Sequence, residues 1–170
     1  MMRALLTATL LLLLSACATT PTPIARGPFT SVSLKQALSN ETVGSRVRWG
    51  GMIVSVAPLK TESCFEILSR PLERDGEPQP TDQTEGRFIA CGAGFYDPAA
   101  YPAGREITFV GSVLPPAACK IGAYEFSCPR VAIETLYLWP KREPYSYRYY
   151  DYRYDPFWSP WPYRHPYWHY

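Results

Sequence analysis

Apolar residues recur at every second position through the middle of this chain, the period of strands with one buried face. Val47 and Trp49 hold odd positions, then Met52, Val54 and Val56 hold even ones. The phase flips across Gly50-Gly51. An extra residue in a strand does this, so a bulge or sharp bend is expected there. Phe65 and Ile67 alternate in a second strand and Phe88 and Ala90 in a third, separated by a polar Pro- and Gly-rich loop over 71–86. Ile107, Phe109 and Val113 mark a fourth strand. Residues 124–139 supply a fifth, interrupted near Pro129, with Val131, Ile133, Tyr137 and Trp139 on one parity. Two short helical pieces break the strand pattern. Ser33 and Gln36 form a capping box that opens a short helix with Leu34, Ala37 and Leu38 on one face, ended at Asn40. Asp97 as N-cap with Pro98 behind it opens a single turn that Gly104 closes. Five strands with a short helix between the third and fourth predict an all-β protein, a small five-stranded OB-like barrel with short helices over 31–140.

The amino terminus reads differently. Arg3 precedes an apolar run from Ala4 to Leu14, and Ser15 and Ala16 are small, so 1–16 reads as a secretory signal peptide. Leu14-Ser15-Ala16-Cys17 matches the bacterial lipobox, in which the thiol takes a diacylglyceryl group. Each buried methylene of such chains contributes about 0.8 kcal/mol, so two or more chains anchor a protein stably where one does not. Cys17 is therefore the expected lipidation site, reached through the lipoprotein processing and sorting machinery. Ala18 stands where an Asp favours retention at the inner membrane, which points to the outer membrane; a periplasm-facing anchor is the expected orientation, although Ala18 does not decide the side. Residues 17–30, rich in Pro, Thr and Gly, read as a lipidated flexible tether.

Composition narrows the partners. Seventeen Lys and Arg against fifteen Asp and Glu leave a net charge of +2, which argues against nucleic acid. No apolar run reaches the roughly 18 residues of a membrane-spanning helix. Beyond Cys17 there are four cysteines, an even number suited to an oxidising compartment. Four cysteines allow three pairings. Cys64–Cys91 with Cys119–Cys128 is favoured, because each pair brackets a hairpin; a zinc site is disfavoured by the wide spacings.

Candidate chemistry is thin, and neither a catalytic residue nor a cofactor or metal is expected. There is no GxxxxGK[ST] loop and no GxSxG elbow. His165 and His169 both lie near the carboxyl end, apart from the strands. Among the carboxylates Asp75, Asp82, Glu85 and Asp97, the pair Asp82 and Glu85 has the makings of a glycan-cleaving acid pair, although turn chemistry accounts for it more simply. Trp49 reads as a core anchor or as the floor of a small ligand groove. Arg46, Arg48, Arg87 and Arg105 make a possible anion-binding face, with solvated strand-end charge as the plainer account.

Residues 141–170 hold nine Tyr, three Trp and one Phe with five Pro. Prolines at this density forbid a helix, so a disordered or polyproline-like low-complexity tail is expected. Tyr and Trp favour the membrane–water interface, and the tail's expected partners are lipopolysaccharide, peptidoglycan or another envelope protein.

The stretches VRWGGMIVSV (47–56), EILSRPL (66–72), TDQTEGRF (81–88), GFYDPAAYPAGREITFVGSV (94–113) and KIGAYEFSCPRVAIETLYLWP (120–140) closely resemble the Slp family of starvation-associated outer-membrane lipoproteins. The likeness spans the lipobox and 30–140. It implies a non-enzymatic protein anchored to outer-membrane lipid through Cys17, acting in envelope integrity or stationary-phase stress adaptation. The four extra cysteines and the aromatic tail depart from the family pattern. A different reading is a periplasmic carrier or binding module for an amphiphile or envelope glycan, built on the face near Trp49.

Overall fold

The computed structural model describes residues 20–142. The expected signal peptide, Cys17, most of the aromatic tail and both histidines lie outside the described residues. Five strands form: β1 (Arg46–Pro58), β2 (Glu62–Ser69), β3 (Arg87–Ala93), β4 (Glu106–Ile121) and β5 (Tyr124–Leu138). They close on themselves in the order β1-β2-β3-β5-β4, antiparallel at every step except β3 beside β5, which is parallel.

Closure depends on β1 serving two neighbours. Its first half, Arg46 to Met52, pairs with β4, and from Gly51 onward it pairs with β2. Where the two ladders overlap, three strands crowd together. A side chain at Gly51 would overlap the Leu68 carbonyl oxygen, and a Cβ at Gly50 would stand 2.8 Å from the Ile107 oxygen. The glycines are thus needed for close approach, not for a bulge. The β1–β4 register runs unbroken through them. Ile53, not Met52 or Val54, is the fully buried residue, in phase with Val47 and Trp49. The bulge lies further on, between Ile53 and Ser55 against β2, and it is there that the phase shifts to bring Val56 onto the core.

The fifth strand carries a second correction. Its register against β4 slips between Val110 and Gly111, leaving Glu134 as the extra residue. Val131 and Ile133 face the ring interior with Leu136 and Leu138, whereas Tyr137 and Trp139 turn to the outside of the ring. The expected single parity does not hold across that slip.

Inside the ring, Phe65, Phe88, Phe109, Ile53, Ile67, Ile107, Val47, Val113 and Val131 are sealed from solvent. Phe65 meets Phe109, Tyr101 and Tyr96 at centroid separations of 5.3, 5.4 and 5.3 Å. Tilted and edge-on arrangements of this kind add about 0.5–1.5 kcal/mol per pair beyond the area buried. Ser33 and Gln36 make the reciprocal capping box: the Ser33 N–H donates to Gln36 Oε1 at 2.9 Å, and the Gln36 N–H donates to Ser33 Oγ at 3.3 Å. The box opens no full α-helix. Two 3₁₀ turns, Gln36–Leu38 and Asn40–Thr42, stand in its place, so Leu34 and Ala37 are buried while Leu38 is 41% exposed. Asp97 accepts the Ala99 N–H at 2.8 Å in a hydrogen-bonded turn with no helix beyond it.

Where composition predicts a loose tether, residues 20–30 are seated on the ring. Thr22–Ala25 forms one helical turn, and Ile24 is fully buried with Val110 and Trp139. The Thr30 N–H donates to the Arg46 carbonyl at 2.7 Å, and Arg46 Nη1 donates to the Arg26 carbonyl at 2.8 Å.

Candidate functional site

Trp49 projects from β1 toward the segment that follows the tether. It is 8% exposed, its ring stands edge-on to Phe88 at 5.4 Å, and its Nε1–H donates to the Val32 carbonyl at 2.9 Å. The ring therefore has its one polar atom satisfied and behaves as a core anchor. Beside it opens a cleft of about 690 Å³, walled by 29–36 on one side and by Arg70, Leu72, Glu73 and Glu85 on the other. That volume is in the range of small-molecule sites, roughly 300–1,000 Å³. The cleft lies between the ring and its outer loops. The ring interior itself is filled.

Hydrogen bonds from the 81–86 turn brace the cleft wall. Ser69 Oγ accepts the Glu85 N–H at 3.0 Å and lies 3.3 Å from Thr84 Oγ1. Glu85 Oε2 accepts the Leu34 N–H at 2.8 Å. The carboxylate of the proposed acid pair is thus spent on holding two segments together. Asp82 lines a separate shallow depression with Arg70, Pro80 and Thr81.

The four arginines expected to share an anion-binding face are dispersed around the ring. Only Arg46 and Arg48 come together, both over the Phe29 ring at 5.2 and 5.1 Å, a cation–π arrangement. Arg46 Nε pairs with Glu134 at 2.7 Å. Arg87 is held by Glu66 at 2.6 Å, and Arg105 Nη2 donates to the Trp139 carbonyl at 2.7 Å. Arg105 Nε is buried without a partner among the described residues. The Arg46 hydrogen bond lowers the Glu134 pKa below the usual carboxylate range, against a small opposing effect of burial, with help from Ser112.

Both bridges form with the expected pairing. Cys64 and Cys91 face each other directly across β2 and β3, and Cys119 joins Cys128 within the β4–β5 hairpin. Glu62, Cys64 and Cys91 cluster within reach of one ion, but the two sulfurs are bonded to each other and so are not free thiolate ligands. No described helix is long and apolar enough to cross a membrane.

The pattern of the outer membrane lipoprotein Slp family matches residues 14–168. The chain belongs to that family. Among its relatives, the outer membrane protein Slp of Escherichia coli K12 is 29% identical over 118 residues, 68% of this chain and 62% of Slp. The uncharacterized lipoprotein YeaY of the same strain is 31% identical over 134 residues, 76% of this chain and 69% of YeaY. An uncharacterized Haemophilus influenzae protein is 30% identical over 124 residues, 72% of this chain and 67% of its own length. The aligned stretch thus covers somewhat less than two thirds of Slp itself. Membership in this family places the chain at the outer membrane. The family match also runs through the aromatic segment to 168, beyond the limit at 140 set by the residue-level likeness.

Proposed function

We propose that this Slp-family chain is a non-enzymatic, OB-type barrel held on the periplasmic side of the outer membrane by acylated Cys17, where it supports envelope integrity in starved or stationary cells. The observation that carries this reading is the family match, which begins at Leu14, the first residue of Leu14-Ser15-Ala16-Cys17. A filled interior fits a structural role better than a carrier that encloses its cargo. In this reading the processing machinery removes 1–16, outer-membrane lipid holds the mature protein, and the aromatic segment meets envelope material. Mass spectrometry of the mature protein from membranes should find an amino-terminal Cys17 carrying diacylglyceryl; an unmodified residue overturns the anchor. A strain lacking the protein should lose survival in stationary phase under detergent challenge, with rescue by the native chain and none by Cys17→Ser. Equal survival of all strains rejects the envelope role.

The cleft supports a second reading, a binding module for an amphiphile or envelope glycan. Filling it with Leu72→Trp should abolish ligand that co-purifies with the native chain. Unchanged co-purification, or none from either chain, removes this alternative.

A further inference from the structure

The two ends of the described chain meet on one short loop. At the amino end, Thr20 Oγ1 donates to the Arg74 carbonyl at 3.5 Å, and the Ile24 side chain packs beside Gly76. At the carboxyl end, Arg142 reaches the same loop: Nη2 meets Glu77 at 3.0 Å and also donates to the Pro78 carbonyl, while Nε meets Glu106 at 2.8 Å. The loop is itself stiffened by a bridge between Leu72 and Pro78 and by the Thr108 hydroxyl, which donates to the Gly76 carbonyl at 2.7 Å.

This arrangement sets the length of the leash. Were 17–30 free, thirteen residue steps would reach about 45 Å when extended. With the chain seated from Thr20, only three steps separate Cys17 from the body, about 10 Å at most. The loop follows β2, whose far end carries the turn at Lys60. Eight strand residues put that turn roughly 26 Å from the loop end. A leash of about 10 Å cannot let the body tumble freely on the bilayer. The leash keeps the end bearing the loop near the lipid, whereas nothing in it draws the Lys60 end there.

We propose that the Leu72–Pro78 end of the ring rests against the phospholipid leaflet that holds Cys17, and that residues 143–170 are delivered to that same leaflet. The inference rests on acylation of Cys17. It deepens that reading by giving the body an orientation, and the aromatic segment one occupant among the envelope partners, the lipid interface. Chemistry favours this occupant. Tyr and Trp settle at the headgroup level, and twelve of the segment's residues are of these two types. Their chain starts at Arg142, on the face nearest the anchor.

The test uses the full-length, lipidated protein in vesicles of phosphatidylethanolamine and phosphatidylglycerol. Nitroxide labels are placed at Arg74→Cys or at Lys60→Cys. The label at 74 should be at least fivefold more accessible to lipid-dissolved oxygen, relative to a water-soluble relaxant, than the label at 60. Inserting ten Gly and Ser residues between 18 and 19 should erase that difference without touching the body. In parallel, brominated phospholipid should quench the tail tryptophans at least twofold, and Trp158→Phe with Trp161→Phe and Trp168→Phe should remove the effect. Equal label accessibility with fatty acid still present on Cys17 overturns the orientation and leaves the anchor standing. Absent quenching overturns delivery of the tail to lipid. Absence of fatty acid on Cys17 overturns the anchor and this inference together.

Discussion

β4 is buried on both faces from Ile107 to Val110, and its two faces are built differently. Inward, Ile107 and Phe109 meet aliphatic and aromatic carbon from every other strand, an attraction that is non-directional and grows with area. Outward, Val110 and Thr108 meet Ile24, Trp139 and Gly76. There the buried Thr108 hydroxyl accepts Trp139 Nε1–H at 2.9 Å and donates to the Gly76 carbonyl. The inner face makes the ring compact. The outer face decides which segments cover it, because a buried donor or acceptor left unpaired costs more than a lost contact. A directional lock on one side of a strand thus collects the loop and the segments at both ends of the described residues.

Four substitutions grade that contrast. Phe109→Ala should cost about 3–5 kcal/mol, seen as a lower urea midpoint at unchanged slope, since it empties the centre of the aromatic group. A cost near zero would mean that the interior is not the cooperative core. Ile24→Ala should cost about 2–5 kcal/mol of local contact, and we expect it as early tryptic cleavage after Arg26 with little movement of the midpoint. A matching fall in the midpoint without early cleavage would merge the two regions into one unit. Thr108→Val keeps the shape but strands the Trp139 N–H and the Gly76 carbonyl, and should cost about 1–3 kcal/mol; amide exchange near 76 should rise. A neutral result would show that packing alone covers the outer face.

The smallest effect is expected from Glu134→Gln. The folded-state pKa of Glu134 is lowered. Its pairing with Arg46 therefore stabilises above the ordinary carboxylate range and is lost as pH falls through the folded pKa. Both partners are about one-third exposed or more, so screening limits the effect to about 0.5 kcal/mol at neutral pH. The difference between variant and native chain should vanish in acid; a difference that grows on acidification would contradict the pairing.

Much of this fold was legible residue by residue. Phe65 with Ile67 and Phe88 with Ala90 alternate cleanly because β2 and β3 each present one face to the core. The cysteine pairing was legible because each pair stands on neighbouring strands. Other features escaped. Gly50-Gly51 resembles a bulge in one dimension, whereas its cause is the close approach of β2 and β4 where both ladders meet on β1, which no local pattern reveals. Ile24 is a single apolar residue in a Pro- and Thr-rich stretch, and only the complementary patch of Val110 and Trp139, more than eighty residues away, makes it a docking point. The arginines alternate along strands, but distance around a ring is not written in strand parity, so Arg46 and Arg87 finish beside different acids. The groove expected at Trp49 is there, but its walls come from four separate segments, of which the strand pattern pointed only to the one that carries Trp49.

The parallel contact between β3 and β5 is brief. It joins only Ile89, Ala90 and Cys91 to Arg130, Val131 and Ala132, whereas β4 and β5 run together from Ile107 and Leu138 out to Ile121 and Tyr124. The long hairpin joins neighbours in sequence, whereas the parallel contact closes over some forty residues and the β1–β4 ladder over more than fifty, so both seams cost more loop-closure entropy than the hairpin. Of these two seams the parallel one has three paired residues against seven in β1–β4, which makes it the expected place for local opening of the ring.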